Sequence, residues 1–541
     1  MPPVHTLRKP VQSRHALRQR NRTLALGIVL ALGVAGVLAF LLVGCGPGAA
    51  VPTPTPPPPA VQPLQTADVQ SVINSAVASV NVDMVVAVVD RAGFVLGVFR
   101  TQNAPTTAIG NFGQTQDAND VAVALGRTGA FFSNDAAPLS SRTVRFISGI
   151  HFPPGVMNQP NADLYGIENT NRGCTLVNDA TFMSKVPPSL ALGGGFGLGI
   201  LTGKADTNDS DPNAVNPGGL PIFYKGIVLG GVGVVTSSSN TNVAEFAAFT
   251  GSLAQRPATL DNLGPTPAQP GVVFIGGIAL PFVRQSTRPP GISAGPVAGT
   301  GTFKAPLANS QGQPPEGDLI TPTNGTGGLS AADVTTILNN AEATANKTRA
   351  AIRLPLGSRT RMVIAVADTD GTIIGLRRMV DSTIFSIDVA ASKARNMIYF
   401  NSSARTAADL TDVPMGTAVT NRTISFGAMP FYPPGIDGSQ PGPFFNLYLQ
   451  DTANPCTQGA QTGAANANKS GIVFFPGSAG LYRNGVLIGG LGVSGDGVDQ
   501  DDFVTNGGTL GFEAPLAIRA DQVIDRNVRL PYMKFPRNPT D

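Results

Sequence analysis

The chain carries one stretch of sixteen residues twice. Residues 85–100 read VVAVVDRAGFVLGVFR and residues 363–378 read VIAVADTDGTIIGLRR, with Asp90 and Asp368 in register 278 residues apart. Each is a pair of short β-branched runs joined by a turn, Arg91-Ala92-Gly93 in one and Thr369-Asp370-Gly371 in the other. Glycine supplies the positive φ of a tight turn without steric cost, so each stretch predicts a β-hairpin. The likeness extends well past the hairpins. LQTADVQSVINSAV (64–77) parallels LSAADVTTILNNAE (329–342), each reading as a helix opened by the hydroxyl of Thr66 or Ser330. DVAVALGRTGAFF (120–132) parallels DVAASKARNMIYF (388–400), a second helix, and SRTVRFISGIHFPPG (141–155) parallels NRTISFGAMPFYPPG (421–435). KGIVLGGVGVV (225–235) parallels NGVLIGGLGVS (484–494), and IALPFVR (278–284) parallels VRLPYMK (528–534).

A duplication of this extent is one domain present twice, over 64–285 and 329–541, and so long a period excludes a solenoid. Residues 286–328 lack apolar periodicity and read as a linker. Within each copy the order is helix, hairpin, helix, then strands. That order predicts an α+β class, an antiparallel sheet covered by helices, with the two copies packed as an internal pseudo-dimer. The stretches 156–217 and 436–476, rich in Gly, Pro and Asn, are expected to be irregular insertions over the sheet.

Residues 1–45 are of another kind. Arg8, Lys9, Arg14, Arg18, Arg20 and Arg22 precede the apolar run LALGIVLALGVAGVLAFLLV at 24–43, followed by Gly44 and Cys45. A basic segment, an apolar segment and small residues at its end describe an export signal. LVGC at 42–45 resembles the lipobox of bacterial lipoproteins, in which the cysteine is acylated; the alternative is an uncleaved anchor, since the run is long enough to span a bilayer. Either reading tethers the rest of the chain to a membrane on its periplasmic or extracellular side. Residues 46–63, with VPTPTPPPPA, form an extended polyproline spacer. The formal charge of +3 owes much to those first 22 residues, so no nucleic-acid partner is implied.

Three blocks of the second copy, AVADTDGTIIGLRRMVDS, FSIDVAASKARN and NGVLIGGLGVSGDGVDQDD, resemble the GlcG/HbpS-like haem-binding family, which includes the haem-binding C-terminal domain of PduO-type proteins. Asp368, Gly371, Arg378, Met379, Asp381, Ser386, Asp388, Lys393, Gly492, Ser494, Gly495, Gln500 and Asp501 carry the resemblance. The first copy keeps Asp90, Gly93, Arg100 and Asp120, but has Leu125 where Lys393 stands and Val235 where Ser494 stands. The resemblance implies a profilin-like domain that self-associates as a homo-oligomer and takes haem as ligand. In some members it implies haem degradation or redox sensing.

Haem iron takes an axial His, Met, Cys or Tyr. With His5 and His15 in the export segment, His151 is the one histidine of the folded part, and Phe431 replaces it in the second copy. His151 reads as an axial ligand or as a turn histidine at a strand end. Met379 and Tyr399 are the other candidates, against core positions for both. No CxxCH, HExxH, zinc spacing or GxSxG occurs, and GGGFGLGI at 193–200 lacks the Lys-Ser/Thr of a phosphate loop. Asp496, Asp499, Asp501 and Asp502 offer oxygens for calcium without the EF-hand order; the simpler reading is a solvated helix start. Arg377, Arg378, Lys393 and Arg395 form a basic constellation that could clamp a carboxylate, a haem propionate or a small organic acid, unless Asp381 and Asp388 pair with them.

Cys174 and Cys456 fall 19 and 21 residues after the last glycines of the two PPG motifs, Gly155 and Gly435. Lone cysteines in equivalent loops predict a Cys174–Cys456 disulfide in an oxidising compartment, worth on the order of 4–5 kcal/mol by chain entropy, against two free thiols. The functional expectation is a tethered binding protein for haem or a small ligand. The alternatives are a haem-degrading or organic acid-processing enzyme and a surface assembly protein.

Overall fold

The central hairpin of each copy organises a sheet of its own. The computed structural model describes residues 61–540, apart from 149–163, 173, 175–197, 202–215, 255–271, 276–277, 297–299, 435–438, 455 and 460–469. The export segment, Cys45, the spacer up to residue 60 and His151 therefore lie outside the described residues. Among the described residues no helix is long and apolar enough to cross a membrane.

In the first copy, helix α1 (Thr66–Ser79) leads into β1 (Met84–Asp90) and β2 (Val95–Thr101). Helices α2 (Ala118–Phe132) and α3 (Ser141–Ser148) follow, then β3 (Gly219–Tyr224), β4 (Ile227–Thr236) and α4 (Thr241–Ser252). After a two-stranded ribbon at Val272–Ile275 and Ile278–Pro281 come β5 (Gly301–Ala305) and β6 (Gly317–Ile320). The second copy runs through α5 (Ala331–Ala345), β7 (Val363–Ala367), β8 (Ile373–Arg378), α6 (Phe385–Phe400) and α7 (Asn421–Gly427). It closes with α8 (Phe445–Ala453), β9 (Ser478–Arg483), β10 (Val486–Ser494) and α9 (Val498–Gly508). The sheets have the same order, β3-β4-β1-β2-β5 and β9-β10-β7-β8-β6, and every pairing is antiparallel.

The strand runs are apolar without alternation because both faces of each sheet are covered. Val85, Ala87 and Val89 point toward α2, whereas Met84, Val86 and Val88 join the core formed with α1 and α4. In the second copy Val363, Ala365 and Ala367 point toward α6, and Ile364 and Val366 join the core with α5 and α9. The GGVG and GGLG motifs explain how closely the helices settle. A Cβ at Gly233 would lie 1.8 Å from the Ala122 carbonyl oxygen, and one at Gly492 would lie 2.1 Å from that of Ala390. Only glycine lets α2 and α6 rest directly on the strand backbone.

The inner faces of the two copies share one hydrophobic core. Phe132 and Phe385 stack across the boundary with ring centroids 4.1 Å apart, and the Ile384 amide donates to the Phe131 carbonyl at 3.0 Å. Helix α6 is accordingly buried along its whole length. The expected disulfide is present: Cys174 is bonded to Cys456, with Cα atoms 5.1 Å apart.

Three sequence expectations change. The linker contributes structure, since β5 pairs with β2 and β6 with β8, giving each sheet its fifth strand. Their side chains are largely exposed, as suits an edge, so no apolar alternation marked them. The segments after α2 and α6 are short helices, not strands; Thr420 caps α7 by accepting from the Thr423 amide at 3.2 Å. The insertions are also partly regular, holding α8 and a 3₁₀ turn at Ile167–Asn169.

Candidate functional site

A cleft of about 480 Å³ opens where the insertions of the two copies meet. One wall comes from the first copy: Asn111 and Phe112, in a two-stranded ribbon at 107–117, and Arg172. The other is α8 of the second copy, through Phe445, Tyr448 and Thr452. The i, i+3, i+7 spacing of these three residues places them on one helix face. Tyr448 stacks on Tyr165 of the first copy at 4.8 Å, meets Phe474 edge-on at 5.5 Å and presents its edge to Phe112 at 6.4 Å. The disulfide fixes both walls, because Arg172 lies two residues before Cys174 and Ala453 three before Cys456.

Electrostatics give the cleft a polarity. Arg172 Nη1 is buried with no hydrogen-bond partner among the described residues. Burial lowers the Arg172 pKa, and the nearby Asp451 opposes that shift. Asp451 itself is enclosed behind α8, accepting from the Ile472 amide at 2.9 Å, and burial pushes its pKa up to about 7. Near neutral pH Asp451 is thus partly protonated, and Arg172 faces the cleft without a full counter-charge. Burial also raises the Tyr448 phenol, which keeps it neutral.

The basic constellation does not converge on one point. Arg377 lies toward α5, donating to Asp318 at 2.6 Å, Glu342 at 2.8 Å and Asn339 at 2.8 Å. Arg378 is buried and donates to the carbonyls of Pro314 at 2.8 Å and Ser382 at 2.9 Å. Lys393 Nζ is buried against Asp501 at 3.0 Å and the Val493 carbonyl at 2.7 Å. Arg395 Nε donates to the Gly371 carbonyl at 2.9 Å, and its first-copy counterpart Arg127 does the same to Gly93 at 3.0 Å. Asp381 is held by Arg353, and Asp388 accepts from the Asn171 amide of the first copy at 2.6 Å. These cations brace turns, helices and strands.

The acidic run is likewise internal, and the reading of a solvated helix start gives way to burial. Asp496 pairs with Arg353 at 2.8 Å, Asp499 with Arg422 at 2.6 Å, and Asp502 with Arg422. Asp496, Asp501 and Asp502 are buried, and among the described residues no acidic, His or Cys group is arranged to hold a metal. Arg353 and Arg422 were missed as their partners, lying more than 70 residues away in sequence. Asp90 and Asp368, which begin the turns, anchor the linker: Asp90 accepts from the Gln311 amide at 3.0 Å, and Asp368 from the Thr326 and Gly327 amides at 2.6 and 2.9 Å.

Residues 329–508 match the family model described as "Haem degrading protein HbpS-like". Solved structures similar to the chain include Klebsiella pneumoniae protein ORFY, at 18% identity over 34% of this chain and 90% of that one, with a TM-score of 0.22. The PduOC:Heme complex matches at 20% identity over 38% of this chain and 99% of that one, TM-score 0.22. A double mutant of HbpS from Streptomyces reticuli matches at 16% identity over 38% and 96%, TM-score 0.21. No curated protein matches the chain.

The two expected ligands that fall among the described residues, Met379 and Tyr399, are both engaged inside the protein. Met379 is 4% exposed and its Sδ accepts from the Met362 amide at 3.3 Å. The Tyr399 hydroxyl donates to Asp409 at 2.8 Å. The cleft wall contains no His, Met or Cys among its described residues.

Proposed function

We propose that the protein is a membrane-tethered, extracytoplasmic binding protein of two GlcG/HbpS-like domains, 64–285 and 329–541, packed as an internal pseudo-dimer around a ligand cleft. Its ligand is a small planar anion. One observation carries this reading: the cleft is walled by both copies, with Tyr448 and Phe112 on its faces and the incompletely partnered Arg172 guanidinium beside them. Aromatic rings reward flat conjugated surface, and a guanidinium rewards a carboxylate. The shared core, the Phe132–Phe385 stack and the bridge between equivalent cysteines support the paired arrangement. Tethering through Cys45, or through an uncleaved anchor, and self-association into homo-oligomers belong to the same proposal.

Haem is the named candidate, a flat macrocycle bearing two carboxylates, and the family match over 329–508 supports it. The cleft chemistry favours recognition of ring and carboxylates over recognition of iron. Titrating the full chain with haem and with metal-free protoporphyrin tests this. Comparable binding of both is expected, weakened roughly tenfold by Arg172→Leu through loss of a charge-assisted contact. Failure of the metal-free ring to bind, or indifference to Arg172→Leu, would contradict it. The family description makes haem degradation the second reading, and a bound Soret band that decays under reductant and dioxygen would establish it.

A further inference from the structure

Arg91, in the turn between β1 and β2, is 3% exposed, and neither of its Nη atoms has a hydrogen-bond partner among the described residues. Across the boundary between the copies stands Arg378, 1% exposed, whose Nη atoms are occupied but whose Nε has no partner. Ser382 Oγ, on a fully buried residue, is also without one. Burial, and then the neighbouring Arg378 charge, push the Arg91 pKa down to about 10.

Among the described residues none of the surrounding carboxylates pairs with Arg91, although Asp496 Oδ1 is also left without a partner and Glu316 pairs with Arg378. Asp381 accepts from the Asp135 amide at 2.9 Å and from Arg353. Asp496 is bonded to Arg353 Nε at 2.8 Å, and Asp135 Oδ1 accepts from the Val228 amide at 2.9 Å. Glu316 accepts from the Asp381 amide at 2.8 Å and lies 3.8 Å from Arg378 Nη1. Arg91 is therefore a buried cation without an ion pair among the described residues, a costly arrangement unless something fills the gap. The unmet atoms are nearly all donors, and two of the three groups are cationic. Water would bring hydrogens that find few acceptors there, whereas an anion brings only acceptor capacity.

We propose that Arg91, Arg378 and Ser382 hold a small monovalent anion of chloride size at the boundary between the two copies. Thr369 replaces Arg91 in the second copy, so each chain has one such site. The anion ties the first hairpin to the loop that follows β8 and supplies the charge that lets the copies close on each other. This site is separate from the aromatic cleft and does not depend on its ligand.

Thermal unfolding of the full chain, with chloride exchanged for gluconate at constant ionic strength, reads the site directly. A saturable rise in Tm with chloride is expected, and Arg91→Met should abolish it. No chloride response in the wild type, or the same response in Arg91→Met, would overturn the proposal. Should Arg91→Met not fold, bromide-soaked crystals of the wild type decide the matter. An anomalous peak among Arg91, Arg378 and Ser382 is expected, and a direct Arg91–Asp135 ion pair with no peak would overturn it.

Discussion

Glu245 receives Arg142 Nε at 2.8 Å and Nη2 at 2.9 Å, with both side chains fully buried. The second copy repeats the relationship with Asp502 and Arg422. The backbone joins in at the same place: Glu245 accepts the Arg284 amide at 3.2 Å, and Asp502 accepts the Lys534 amide at 3.0 Å. In each copy one carboxylate of the last helix thus ties the short helix before the insertion to that last helix and to the segment beyond it.

Removing one partner leaves the other charge buried and unpaired. Glu245→Ala should destabilise by roughly 3–5 kcal/mol. Lys534→Ala, which breaks a pair with Asp499 whose lysine is 66% exposed, should cost under about 1 kcal/mol. Chemical denaturation of both variants checks the contrast, and equal effects would refute the assignment.

The glycines under α2 and α6 make a second prediction. Gly492→Ala drives a Cβ into the Ala390 carbonyl, where backbone and not a flexible side chain must give way. A loss of about 3 kcal/mol or more is expected in denaturant unfolding, the upper end for overpacking. A neutral Gly492→Ala would mean that α6 does not rest on β10 as described.

The disulfide closes a sequence separation of 282 residues. In the chain-entropy picture its removal costs on the order of 5 kcal/mol, moderated by residual structure in the unfolded chain. The double replacement Cys174→Ser with Cys456→Ser should lower the unfolding midpoint and, because the bridge flanks the cleft, weaken ligand binding as well. A variant with unchanged midpoint and affinity would show that the bridge fixes neither.

Asp451 links stability to pH. Its folded-state pKa is raised by burial to about 7, above the usual carboxylate value, so the folded state holds a proton that the unfolded state has lost. Stability from this group is therefore full below the unfolded value, near pH 4, and declines as pH rises to about 7. Asp451→Asn should flatten that portion of the profile. Above pH 7 the ionised carboxylate competes for Arg172, so affinity for an anionic ligand should fall there in the wild type and not in Asp451→Asn. Both are read by repeating the unfolding and binding titrations across pH 5–9.

Much of this organisation is legible in the sequence because duplication tests each reading twice. The hairpins, both long helices and the pairing of Cys174 with Cys456 follow from β-branched runs, helical spacing and equivalent loops. The edge strands at 301–305 and 317–320 are not legible, since an edge with exposed side chains has no apolar rhythm. Arg378, Lys393 and Arg395 suggest a ligand clamp while their partners are unseen. Val493, Asp501 and Ser470 lie 75 or more residues away, and only the fold reveals that these cations are structural. Arg172 has no sequence signature. Phe445, Tyr448 and Thr452 do have one, helical spacing within an insertion otherwise read as irregular.

The claim that one ligand bridges both copies is tested most directly by amide hydrogen exchange on the full chain, with and without saturating metal-free protoporphyrin. Protection should rise together in the ribbon at 107–117 and in α8, at a stoichiometry of one ring per chain. Protection confined to one copy, or lying away from both segments, would contradict it.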